Sequence, residues 1–108
     1  MNYKLAKKLK EAGFIQRQWK YSMHFIPDRN SLGEQMIILY ENYQGSGDDL
    51  VYIPTLSELI EACGDSFYSL SKHLNIWQTN FRDGVAGETA GKTPEEAVAN
   101  LWLNLKIR

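Results

Sequence analysis

The chain has 108 residues, 12 Lys and Arg against 13 Asp and Glu for a formal net charge of −1, 44% apolar residues and 23% charged. That is one domain's worth of chain, long enough for a core without disulfides or a structural metal, and its composition excludes a disordered protein. The longest apolar run, Met36-Ile37-Ile38-Leu39-Tyr40, is too short for a membrane-spanning helix, no apolar signal core follows Met1, and a lone Cys63 fits a reducing cytoplasm.

Leu5, Ala6, Leu9 and Ala12 recur at helical spacing, with Lys4, Lys7, Lys8 and Glu11 on the other side. Asn2 predicts the N-cap of this helix, and Gly13 followed by Phe14 a left-handed stop with an apolar clasp. The period then changes to two. Trp19, Tyr21, Met23 and Phe25 alternate with Gln18, Lys20, Ser22 and His24, which predicts a half-buried strand ended by Pro27, its four apolar residues facing the core. Turn residues fill 28–34. Met36 to Tyr40 then predicts a central strand covered on both faces. A polar loop from Gln44 to Asp49 leads into a short strand over Leu50 to Ile53.

Thr55 and Glu58 stand in capping-box spacing, Leu56, Leu59, Ile60 and Cys63 form one stripe, and Gly64 closes this second helix. Phe67 to Ser71 and Asn75 to Phe81 predict two strands joined near His73, with a third over Val85 to Thr89. Thr93-Pro94-Glu95-Glu96 repeats the capping box with proline at the first helical position, ahead of a stripe of Ala97, Val98, Leu101, Trp102 and Leu105. The expected class is α+β: a single domain, residues 1–108, of antiparallel sheet and three helices in the order α-β-β-(β)-α-β-β-(β)-α. One apolar stripe per helix predicts that helices cover the sheet rather than one another.

Charge is unevenly spread. Residues 1–20 carry six cations, Lys4, Lys7, Lys8, Lys10, Arg17 and Lys20, against Glu11, whereas residues 21–65 carry eight carboxylates against Arg29. Those six cations are the candidate binding surface, for an acidic protein or for phosphates, with the chain's own acidic middle as the competing partner.

Reactive chemistry is sparse. A nucleophile needs a base in reach, and the candidates are Cys63, His24 and His73. Cys63 falls on an apolar helical stripe, His24 on the polar side of a strand and His73 in a turn, with no local motif joining them. Asp48 and Asp49 near Glu41 lack the alternating oxygen donors of a calcium loop. Gly45-Ser46-Gly47 lacks the lysine and helix of a phosphate loop, and Gly84, Gly87 and Gly91 share only the spacing of one. The reading is therefore a non-enzymatic protein without cofactor or metal, with a macromolecular partner that is a protein or a second copy of the chain. Nucleic acid held by the basic arm and the strand aromatics is the alternative, and a small hydrolase a third.

The segments Tyr52-Ile53-Pro54-Thr55-Leu56-Ser57-Glu58-Leu59-Ile60-Glu61-Ala62-Cys63-Gly64 and Gly91-Lys92-Thr93-Pro94-Glu95-Glu96-Ala97-Val98-Ala99-Asn100-Leu101-Trp102-Leu103 resemble a group of small bacteriophage and prophage proteins. Leu9-Lys10-Glu11-Ala12-Gly13-Phe14 also fits. That resemblance implies a phage-type accessory protein in a bacterial host cell and assigns no functional residue. From Thr55 onward, the order helix, three strands, helix is similar to the double-stranded-RNA-binding domain. That family holds phosphates with basic residues at the start of its last helix, where Lys92 matches and Glu95 and Glu96 carry the opposite charge. The start Thr93-x-Glu95-Glu96-Ala97 also resembles that of HicB-type antitoxins.

Overall fold

A computed structural model describes residues 1–45, 47–81 and 89–107. The class is α+β, with three α-helices and two three-stranded antiparallel sheets among the described residues. The chain divides into two compact units, Asn2–Ile53 and Pro54–Arg108.

The first unit opens with α1 (Tyr3–Glu11). Asn2 caps it by accepting the Leu5 amide at 2.8 Å. At its other end the Phe14 amide donates to the Leu9 carbonyl and the Gly13 amide to that of Lys10. Gly13 takes φ +95, the left-handed residue such a double closure requires. Leu5, Ala6 and Leu9 are buried as the spacing predicted. The sheet beside it has the order β2-β1-β3, from β1 (Met23–Arg29), β2 (Gln35–Leu39) and β3 (Val51–Tyr52). Tyr3 of α1 meets Phe25 of β1 edge to face at 5.4 Å.

Two expectations are corrected here. Met36–Tyr40 is not a central strand: β2 lies at the edge, paired to β1 alone, with Met36 and Ile37 exposed. The centre is β1, and it accommodates Pro27 because the β1–β2 register slips between Phe25 and Arg29 and β3 pairs only as far as Phe25. Nor does the alternation from Trp19 to Phe25 mark one buried face. Phe25 is 5% exposed, but Trp19 is 60%, Tyr21 51% and Met23 47%. The strand starts only at Met23, because residues 19–22 form a turn closed by the Ser22 amide on the Trp19 carbonyl at 2.8 Å.

The second unit runs α2 (Leu56–Cys63), β4 (Phe67–His73), β5 (Ile76–Phe81), β6 (Thr89–Gly91) and α3 (Pro94–Ile107), with sheet order β4-β5-β6. The Thr55 box is complete: its hydroxyl accepts the Glu58 amide and its amide donates to the Glu58 carboxylate. At α3 the Thr93 hydroxyl accepts the Glu96 amide, but the Glu96 carboxylate turns to the Lys92 amide instead. Of the third expected strand, Val85 to Glu88 lie outside the described residues, as do Gly84, Gly87 and Ser46, and β6 begins at Thr89. The helices do contact one another, contrary to the single-stripe argument. α2 packs against α3, with the Cys63 thiol against the Val98 carbonyl at 3.9 Å. Ala97 and Ala99 of α3 are both fully buried. The α3–sheet contact is polar at its centre: the Thr79 and Thr89 hydroxyls are bonded to each other, and Thr89 donates to the Ala97 carbonyl.

Candidate functional site

The six sequence-nominated cations all belong to the first unit, in three settings. Lys4, Lys7 and Lys8 are exposed on the side of α1 opposite Leu5, Ala6 and Leu9. Lys10 is half-buried, and its ammonium donates to the carbonyls of Asp48 at 2.8 Å and Leu50 at 2.7 Å. It reaches the acidic segment, yet what it holds there is backbone, tying the end of α1 to the chain ahead of β3. Arg17 and Lys20 are exposed on the segment between α1 and β1.

That segment exposes two aromatic residues that the alternation assigns to the core. Trp19 and Tyr21 stand edge to face, centroids 4.7 Å apart at 80°, and the Lys20 ammonium lies 4.7 Å from the Tyr21 ring centroid. Met23 continues the exposed surface onto β1. The polar residues between them are the ones taken inside. Ser22 is 8% exposed, and its hydroxyl accepts the Trp19 amide at 3.1 Å and donates to the Trp19 carbonyl at 2.6 Å. His24 is 1% exposed, between Tyr40 and Tyr52 at 5.6 and 5.3 Å. Its Nε2–H donates to the Arg17 carbonyl at 2.8 Å, because a carbonyl can only accept. Its Nδ1 is buried with no hydrogen-bond partner. On the outer side the Lys20 carbonyl accepts the Glu41 amide and the Ser22 carbonyl that of Tyr40. The backbone from Arg17 to Ser22 is thus pinned by two buried polar side chains and by the turn at Tyr40–Asn42 that follows β2, while Trp19, Lys20 and Tyr21 project into solvent. Rigid backbone under exposed aromatic side chains is the construction that lowers the ordering cost of binding.

The placement of His24 on a polar, outward face is therefore corrected. Seven residues separate it from the carbonyl it holds, so no local pattern announced its burial. The one available signal was negative: Gln16, Arg17, Gln18 and Lys20 leave the Trp-Lys-Tyr-Ser stretch without the apolar neighbours a core strand normally has.

The other nominated groups take structural positions. Cys63 is buried on the α2 stripe as expected, and burial pushes its thiol up from 9.0 to about 11, which disfavours the nucleophilic thiolate. His73 ends β4 and is exposed. Among the described residues no three His, Cys, Asp or Glu side chains gather as a metal site, and no helix is long and apolar enough to cross a membrane. Gly91 has a packing role: a Cβ there would stand 2.6 Å from Glu96 Cβ and 2.7 Å from the Ala97 amide nitrogen, so the first turn of α3 crosses β6 where only glycine fits. Comparison with family models, with curated proteins and with solved structures finds no match.

Proposed function

We propose that the protein is a non-enzymatic binding protein of phage or prophage type, acting in a bacterial cytoplasm through the surface formed by Arg17, Trp19, Lys20, Tyr21 and Met23. The observation that carries this reading is the exposure of Trp19 and Tyr21 on a backbone held from beneath by Ser22 and His24. Large aromatic and cationic side chains presented on a fixed frame are the usual energetic centres of macromolecular interfaces. The chemistry of the remaining groups supports a binding role over a hydrolytic one. The thiol is buried and hard to ionise, and one His24 ring nitrogen is committed to backbone.

The test is photo-crosslinking in the producing cell, with benzoylphenylalanine placed at position 21 and, as control, at position 68. Tyr68 is also an exposed tyrosine, 68% accessible, on β4 of the second unit. A discrete adduct at position 21 and none at 68 is the expected result. No adduct at 21, or the same adducts from both positions, overturns the reading.

A further inference from the structure

Resting on the binding surface proposed above, we infer that its partner is a single-stranded nucleic acid, with a base stacked on the Trp19–Tyr21 pair and phosphates received by Lys20 and Arg17.

Three observations favour this partner over a protein. First, the surface is cationic as well as aromatic. From Ala12 to Pro27 the sequence contains no carboxylate, and Arg17 and Lys20 are both exposed. Glu41, whose amide bonds the Lys20 carbonyl, is the acidic residue tied to this stretch by backbone. Lysine is depleted at the centre of protein interfaces, whereas phosphate recognition uses it. Second, the ammonium of Lys20 lies over the Tyr21 ring, 4.7 Å from its centroid, so a phosphate that draws the ammonium outward uncovers that ring face for a base. A ring face and a cation at this spacing are the two halves of a nucleotide site, one for the base and one for its phosphate. Third, the same unit exposes Lys4, Lys7 and Lys8 along one side of α1, further cations for a polyanion longer than one nucleotide.

The single strand follows from the geometry of stacking. Trp19 and Tyr21 offer ring faces, and a ring face engages a base only when that base is unstacked from its neighbours. In a duplex the bases are stacked on each other, which leaves the backbone phosphates as the contact for the protein's cations. Stacking is also tolerant of sequence, since every base has a π face, so homopolymers are adequate probes.

The experiment is fluorescence anisotropy with labelled dT20, rU20 and a 20-base-pair DNA duplex at ~50 mM salt, a condition under which phosphate contacts are strong. Single strands are expected to bind more tightly than duplex. The log–log salt slope should be near −0.7 for each phosphate neutralised, so roughly −1.4 for Arg17 and Lys20 and about −3.5 with Lys4, Lys7 and Lys8 engaged. Trp19→Ala should weaken binding roughly 5- to 150-fold, the loss of one stacked base. Lys20→Glu should weaken it and flatten the slope, and Leu32→Ala, at an exposed turn of the same unit, should leave it unchanged. Circular dichroism of each variant checks that the fold is retained.

Failure of single strands to bind, or equal binding of the duplex, overturns the nucleic-acid inference, and a protein adduct at position 21 in the crosslinking test would leave the binding surface standing. Binding that survives Trp19→Ala and Lys20→Glu but is lost on replacing Lys4, Lys7 and Lys8 overturns the surface itself.

Discussion

Two leucines sit at hairpin turns with their side chains in water, and they are expected to respond oppositely to the same substitution. Leu74 begins the two-residue loop between His73 and Ile76, which pair as the last rung of β4–β5. It is 94% exposed, and its φ is +55, the one positive φ outside glycine among the described residues. An L side chain in that region costs roughly 1–2 kcal/mol, from the Cβ against the following carbonyl. Leu74→Gly removes that term and forfeits almost no burial, while glycine's greater freedom in the unfolded chain costs about 0.5–1 kcal/mol. The balance is a stabilisation of about 0.5–1 kcal/mol, or roughly 2–6 °C in Tm for a chain of this size. Leu32 is 81% exposed in the β1–β2 turn, where Gly33, at φ +80, already takes the left-handed position. Leu32→Gly therefore meets only the entropic term and should lower stability by about 0.5–1 kcal/mol. Thermal and urea unfolding of both variants against the parent measure the pair. A Leu74→Gly protein no more stable than the parent, or two shifts of the same sign, would refute the reasoning.

Gly91→Ala should destabilise by about 1–3 kcal/mol, because the new methyl meets the backbone at the first turn of α3 rather than a side chain that could swing away. Urea unfolding reads it, and an unchanged midpoint would mean that α3 is not seated on β6 so closely. For Cys63 the sign follows from its thiol, which keeps its proton in the folded state to about pH 11 and in the unfolded chain only to about 9. Its contribution is fully present below pH 9 and is lost as pH rises through 11. The stability of the parent relative to Cys63→Ala should therefore fall across that window and stay constant from pH 6 to 8. The parent's thiol should also react with a disulfide reagent only at the rate of unfolding.

What could be read from the sequence is what closes locally. The Asn2 cap, the Gly13–Phe14 stop and the Thr55–Glu58 box each satisfy backbone groups within six residues, so residue identities at fixed offsets suffice to place them. The expected bounds of β2, β3, β4 and β5 lie within a residue or two of the observed ones for the same reason, these strands being bounded by turn residues. Which strand is central was not legible. β1 rather than β2 became central because two partners, forty and fifty residues into the chain, both chose β1. An apolar run looks alike at an edge and in a centre.

The binding surface was misread for a related reason that bears on why it is informative. Alternation assigns the apolar residues of a strand to the core because burial of a large side chain is favourable, and at 60% and 51% exposure Trp19 and Tyr21 forgo about 2–4 kcal/mol each. In their place the fold buries the Ser22 hydroxyl and the His24 imidazole, whose Nδ1 is left without a partner, a defect that costs roughly 1–3 kcal/mol. Single exposed apolar residues are ordinary on any protein. Here, however, three fall within five positions, and the polar residues between them are the ones that fasten the backbone. Stability alone favours the opposite arrangement at both kinds of position, so the inverted pattern from Arg17 to His24 has the character of a surface built to be met by something else.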